Sequence, residues 1–155
     1  MKHTENRGSE WRKWDLHVHT KLTNKNDQFK SKDINSFFEL FFKKACELNI
    51  EAIGITDYFS IDRYKDALNY VANIDNKVDE LGVKIFTDNE IEFIRKIFLF
   101  PNVELRMLPT THKGKLLNIH CLFNPTYVSS LDNDFFNHIE NESHKKMNRW
   151  TGYIW

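Results

Sequence analysis

Cysteine, glycine and proline are scarce in this chain, and neither sign of charge is in excess. Two cysteines, Cys46 and Cys121, are too few and too unrelated in spacing to form a disulfide scaffold. Reduced structural thiols are the expected state. Five glycines and three prolines against thirteen phenylalanines leave little material for elaborate turns and imply a packed interior. Lys and Arg total 22 and Asp and Glu total 22, so no net field draws the chain to nucleic acid or an anionic membrane. That balance says nothing about a local basic cleft. No apolar run approaches the roughly 20 residues of a membrane span. The first ten residues, "MKHTENRGSE", lack the apolar core of a signal peptide. A cytoplasmic chain without a membrane partner is expected.

What is present is globular: 155 residues, 41% hydrophobic and 28% charged, enough for one domain with a real core. Residues 1 to about 10 read as a flexible lead-in and 11–155 as one domain. "WDLHVH" (14–19) alternates apolar and polar positions, the period of a strand with two faces. "KDINSFFELFFKKACELN" (32–49) has helical spacing through Phe37, Leu40, Phe41 and Cys46–Leu48, with Asp33 or Ser31 as cap. "IEAIGITDY" (50–58) is a β-branched run and reads as a buried strand. Residues 61–81 return to helical spacing through Leu68, Val71, Ile74, Val78 and Leu81, with Gly82 as C-cap. Within 83–100 a short helix ending near Arg95 is expected, then strands over 102–108 and 116–123 and a last helix over 130–147.

The order β-α-β-α-(α)-β-β-α implies an α/β sheet with parallel members. The last two strands are joined by about seven residues, which suits a hairpin better than a parallel crossover. Four strands cannot close a (β/α) barrel, which needs about twice as many. A barrel protein would therefore have to continue past this chain, and the uncapped, aromatic end "RWTGYIW" fits an N-terminal piece.

The chemistry starts at "DLHVH". Side chains two apart on a strand share a face, so His17 and His19 project together, with Asp15 one step earlier. Two imidazoles at that spacing can reach one metal ion. Ordinary strands also produce the pair, so the other candidates decide. Asp57 with Tyr58 closes the second strand, Glu104 sits in the third and His120 in the fourth, near strand ends where α/β proteins gather their sites. Imidazole with carboxylate and no thiolate suits Zn, Mn or Fe better than Ca. Arg106, two beyond Glu104, is on the same face, placed for a phosphate contact or a rim salt bridge. His112, His138 and His144 read as surface residues, and His3 belongs to the lead-in. No GxxxxGK[ST] loop is present.

"DLHVHT", "AIGITDY", "PNVELR" and "NIHCLF", in that order, resemble the start of a PHP (polymerase and histidinol phosphatase) domain. More narrowly, "GSEWRKWDLHVHT", "GITDYFSIDRYKDAL" and "LFPNVELRM" resemble the N-terminal PHP domain of TrlF-like proteins, where it precedes a large ABC/SMC-like ATPase region. The resemblance runs from about residue 8 to residue 125. It implies a PHP-type distorted (β/α) barrel, here its N-terminal portion, with a two- or three-metal cluster hydrolysing phosphoesters. By position, His17 and His19 would hold one metal, Glu104 would bridge two, and His120 would be the next ligand. Asp57 would join them as a metal ligand, and Asp57, Glu104 and Arg106 would stand nearest the chemistry. Tyr58 replaces the histidine that usually follows the aspartate of the second motif, and a tyrosine ligand must ionise from a pKa of about 10. TrlF-like sequences share that tyrosine. A further histidine and a late Asp-x-His pair have no counterpart.

The resemblance implies a metal-dependent phosphoesterase domain, acting on nucleic acid or nucleotides within a larger ATPase-containing protein. The association with such ATPases points to DNA repair or phage defence. Tyr58 and the missing late ligands leave a second expectation, a PHP-like module that docks a partner without catalysis. A C–N hydrolase of the amidohydrolase type shares the paired histidines but needs a bridging lysine and a late aspartate that have no match here.

Overall fold

The computed structural model describes residues 11–139 apart from 24, 26, 108 and 109. The expected lead-in and the distal half of the expected last helix, with His3 and His144, lie outside the described residues. The architecture is mixed α/β: a four-stranded sheet curled into a half-barrel and flanked by helices. The strands are β1 (Lys13–His19), β2 (Ile50–Tyr58), β3 (Phe98–Met107) and β4 (Leu117–Leu122), in spatial order β1-β2-β3-β4. β1, β2 and β3 are parallel, and β4 returns antiparallel beside β3 as the short connection predicts. No helix among the described residues is long and apolar enough to cross a membrane.

The helices follow local chemistry. Helix α1 (Ile34–Leu48) starts where the Asp33 carboxylate accepts from Ser36 N at 2.8 Å. It ends at Asn49 in the left-handed region, φ 54°, whose N–H reaches the Ala45 and Cys46 carbonyls. Its core face is Phe37, Phe38, Phe42 and Ala45. Leu40, expected in the apolar stripe, is 62% exposed, because the stripe is centred on the Phe38–Phe42 edge.

Helix α2 (Asp62–Ala72) is shorter than the expected 61–81. Asn73 stops it: its backbone N–H and side-chain amide both turn back to the Asn69 carbonyl. A 3-10 turn over Ile74–Asn76 follows, then a loop whose Asp79 carboxylate accepts from Leu81 N and Val83 N. Gly82, at φ 78°, serves that loop and caps no helix, while Val78 and Leu81 are exposed.

Helix α3 (Asp88–Lys96) ends one residue past the expected point and opens with a capping box between Thr87 and Glu90. β3 begins at Phe98, four residues before the expected start, because Phe98, Leu99 and Phe100 pair with Ala52, Ile53 and Gly54. Pro101 is tolerated because its missing N–H faces the side where β4 has already ended. Its carbonyl on that side accepts from Phe123 N at 3.0 Å. Within the described part of the expected last helix there is a short helix α4 (Leu131–Asp134), broken at Phe135, then a 3-10 turn over Phe136–His138. Phe135 leaves helical geometry as it packs against Phe123 and Phe136.

One sheet face is buried under the helices. Ile53 and Ile55 of β2 and Leu99, Val103 and Leu105 of β3 join Phe38, Phe42, Tyr70, Phe86 and Ile94 there. The alternate residues, Thr56, Tyr58, Asn102, Glu104 and Arg106, face the open concave side.

Candidate metal centre

A one-residue bulge in β1 positions its histidines. Asp15 pairs with Ile53 and Val18 with Ile55, so three steps on β1 oppose two on β2. The extra residue reverses the alternation. Asp15 therefore shares the helix-side face with Val18, where both line a groove against Phe41 and Ala45 of α1. The expected single row of Asp15, His17 and His19 is corrected by that bulge: the histidines keep the concave face and Asp15 leaves it. The bulge needs Gly54, since a Cβ there would lie 2.3 Å from the Leu16 carbonyl oxygen.

The donors converge. His17 Nε2 is 3.1 Å from His19 Nε2, and His19 Nε2 is 3.1 Å from Glu104 Oε2. His17 Nε2 is 3.5 Å from the same oxygen. One donor atom from each of His17, Glu104 and His120 lies within 4.8 Å of the others. Two ligands about 2.1 Å from a tetrahedral ion sit roughly 3.4 Å apart, so these spacings suit a common divalent cation. Lone pairs of two imidazoles and a carboxylate pointed at one spot repel unless a proton or cation lies between them. Glu104 is 2% exposed, whereas the His17 side chain is half exposed, leaving the group buried at one end and open at the other.

His120 arrives differently from expectation. β4 is antiparallel, so His120, near the end of β4, comes in from the opposite direction as the direct cross-strand partner of Glu104. Its ring is held by Asn102, which is 1% exposed. Asn102 Nδ2 donates to the Leu16 carbonyl at 2.8 Å, so its Oδ1 faces His120 Nδ1 at 3.1 Å. Nδ1 must then donate to it, which turns Nε2 toward the site. Asn118 Nδ2 likewise donates to Glu104 Oε1 at 2.8 Å. Sequence reading missed both asparagines, although the period-2 series Asn102-Glu104-Arg106 and Asn118-His120 carried the signal. His19 Nδ1 is buried and has no hydrogen-bond partner among the described residues.

Asp57 is not in this group. It belongs to the helix-side row of β2, and its Oδ1 accepts from Thr23 Oγ1 and Tyr58 N, both at 2.9 Å. Its Oδ2 lies 3.9 Å from Arg63 Nε of α2. Tyr58 does face the group, its ring stacked on His19 at 4.9 Å and 19° and its hydroxyl accepting from Arg106 Nη2 at 3.0 Å. Arg106 Nε stands 3.9 Å from Glu104 Oε1, so the rim salt bridge is formed loosely. His112 and His138 are exposed, as expected. No family model matches the chain, and neither a curated protein nor a solved structure matches it.

Proposed function

We propose that the chain is a PHP-type, metal-dependent phosphoesterase domain. The observation that carries this is the convergence of His17, His19, Glu104 and His120, drawn from three strands, on one spot spaced for a divalent ion. The donor set suits Zn, Mn or Fe. A bound ion would supply Lewis acidity and lower the pKa of a coordinated water from 15.7 to about 7. The residues themselves do the rest. His120, held by Asn102, and the bulge-placed His17 and His19 present ring nitrogens. Glu104, steadied by Asn118, brings the negative charge. Arg106 can take phosphoryl oxygens at the rim. Asp57 positions the end of β2 through Thr23 and the Tyr58 backbone, and so acts at one remove.

The sequence resemblance alone supports a nucleic acid or nucleotide substrate, a larger parent protein with an ATPase region, and a part in repair or phage defence. The cysteines, both unpaired, accord with a cytoplasmic setting; burial lifts the Cys46 thiol to about 11. A second reading, a docking module without catalysis, is favoured by Tyr58, whose hydroxyl is engaged by Arg106.

The test is release of aryl alcohol from an aryl phosphate by the chain with Mn²⁺ or Zn²⁺, beside Glu104→Gln. Turnover in the parent, reduced at least about a hundredfold in the variant, is expected if removal of one charge-stabilising group behaves as it does elsewhere. Metal uptake without turnover would leave the docking reading standing.

A further inference from the structure

Helix α1 lies beside the free edge of the sheet, where β1 has β2 on one side and no strand on the other among the described residues. The helix turns one face to the core through Phe38, Phe42 and Ala45. The adjoining face, with Leu40, Lys44 and Leu48 one turn apart, is open: Leu40 is 62% exposed and Leu48 42%. Next to it a groove of about 220 Å³ runs between α1 and β1, lined by Val18, Phe41, Ile50 and Ile53, with Asp15 and Lys44 also in its wall. An apolar helix face and an apolar groove side by side mark a contact surface, unlike leucines exposed singly.

The charges on this face select what covers it. Lys44 Nζ meets Glu47 Oε2 at 2.8 Å on the same helix. Lys13 Nζ donates to the Leu48 carbonyl at 2.9 Å, and the Asp15 carboxylate accepts from His17 N at 3.4 Å. Two cations and two anions leave the face neutral, so a strongly acidic or basic partner meets as much repulsion as attraction. A copy of the chain turned about a two-fold axis does not. With the two α1 helices antiparallel, Leu40 of each lies beside Leu48 of the other, and each Lys44 comes alongside the opposite Glu47. The equal totals of 22 basic and 22 acidic residues add no long-range repulsion between copies.

We infer that the chain forms a two-fold dimer through the Leu40–Lys44–Leu48 face of α1, with the partner's Leu40 covering the mouth of the groove. The Lys44–Glu47 pair is exposed and contributes little within one helix, so it exchanges partners at small cost. His17, His19, Glu104 and His120 lie on the opposite, concave side of the sheet. The dimer therefore leaves them open, and it does not depend on the phosphoesterase reading. One helix face and a groove stand at the small end of interface sizes, so micromolar association is expected.

Sedimentation equilibrium of the full chain over a concentration series measures this. A monomer–dimer equilibrium is expected, its dissociation constant raised at least about tenfold by Leu40→Lys. Lys44→Glu and Glu47→Lys should each weaken self-association by roughly tenfold, since each sets like charges against one another across the axis. An equimolar mixture of those two variants should regain the parent's association, because two acidic groups then face two basic ones. That recovery also excludes misfolding as the cause of the losses. A parent that stays monomeric to roughly 500 µM, dimerisation unchanged by Leu40→Lys, or a mixture no stronger than its components would overturn the proposal.

Discussion

Asn102 shows how much of the candidate site is built by a residue outside its donor group. Its amide spans from the Leu16 carbonyl to His120 Nδ1, so β1, β3 and β4 are tied at one side chain. Asn102→Leu preserves bulk and removes both contacts, freeing the His120 ring and its tautomer. A loss of metal affinity of about 10–100-fold is expected, read by competition with a chromophoric chelator. Gly54 acts through the backbone instead. Gly54→Ala would place a Cβ 2.3 Å from the Leu16 oxygen, and the bulge must shift. We expect a destabilisation of roughly 1–3 kcal/mol in urea unfolding, with metal affinity falling too, since His17 follows directly. At this scale the sequence was legible where alternation is unbroken. His17, His19, Glu104 and His120 were singled out because each obeys the period of its strand, and the structure brings their side chains together. Asp15 was misplaced because nothing in "WDLHVH" announces an inserted residue. Asp57 was grouped with the ligands because strand-end position says where a residue is, not which face it takes.

Elements were legible to the extent that their ends are written in local chemistry. The Asp33 cap and the Thr87–Glu90 box have side-chain signatures, and α1 and α3 fell close to expectation. α2 ended nine residues early because the apolar spacing ran on through a segment whose Asn73 and Asp79 bond to nearby backbone. β3 started early because Pro101 reads as a strand breaker unless the neighbouring strand is known to stop there. The capping box gives a quantitative check. Thr87→Ala should cost about 1 kcal/mol, measured by urea unfolding. Glu90 adds a pH signature. Hydrogen bonds from Thr87 N–H and Oγ1–H hold its carboxyl below its usual 4.5. A depressed carboxylate pKa means the native state favours the ionised form. Its contribution is therefore full above the unfolded value and is lost as pH falls through the folded one. The stability gap between parent and Thr87→Ala should thus narrow as pH drops below about 4.5.

At the scale of the whole molecule, the site exists because three parallel strands and one antiparallel return place four donors on the concave side of a half-barrel. The helices cover the other face with an aromatic core around Phe38, Phe42 and Tyr70. Chain order and the parallel strands were readable from strand–helix alternation. Curvature and the cross-strand meeting of Glu104 with His120 were not, since both depend on register between segments distant in sequence. The most direct measurement is isothermal titration of Zn²⁺ and Mn²⁺ into the stripped chain beside His17→Ala/His19→Ala and Glu104→Ala. The parent should bind with at least about a hundredfold higher affinity than either variant, both variants remaining folded by circular dichroism. Equal uptake by all three would show that these residues hold no ion.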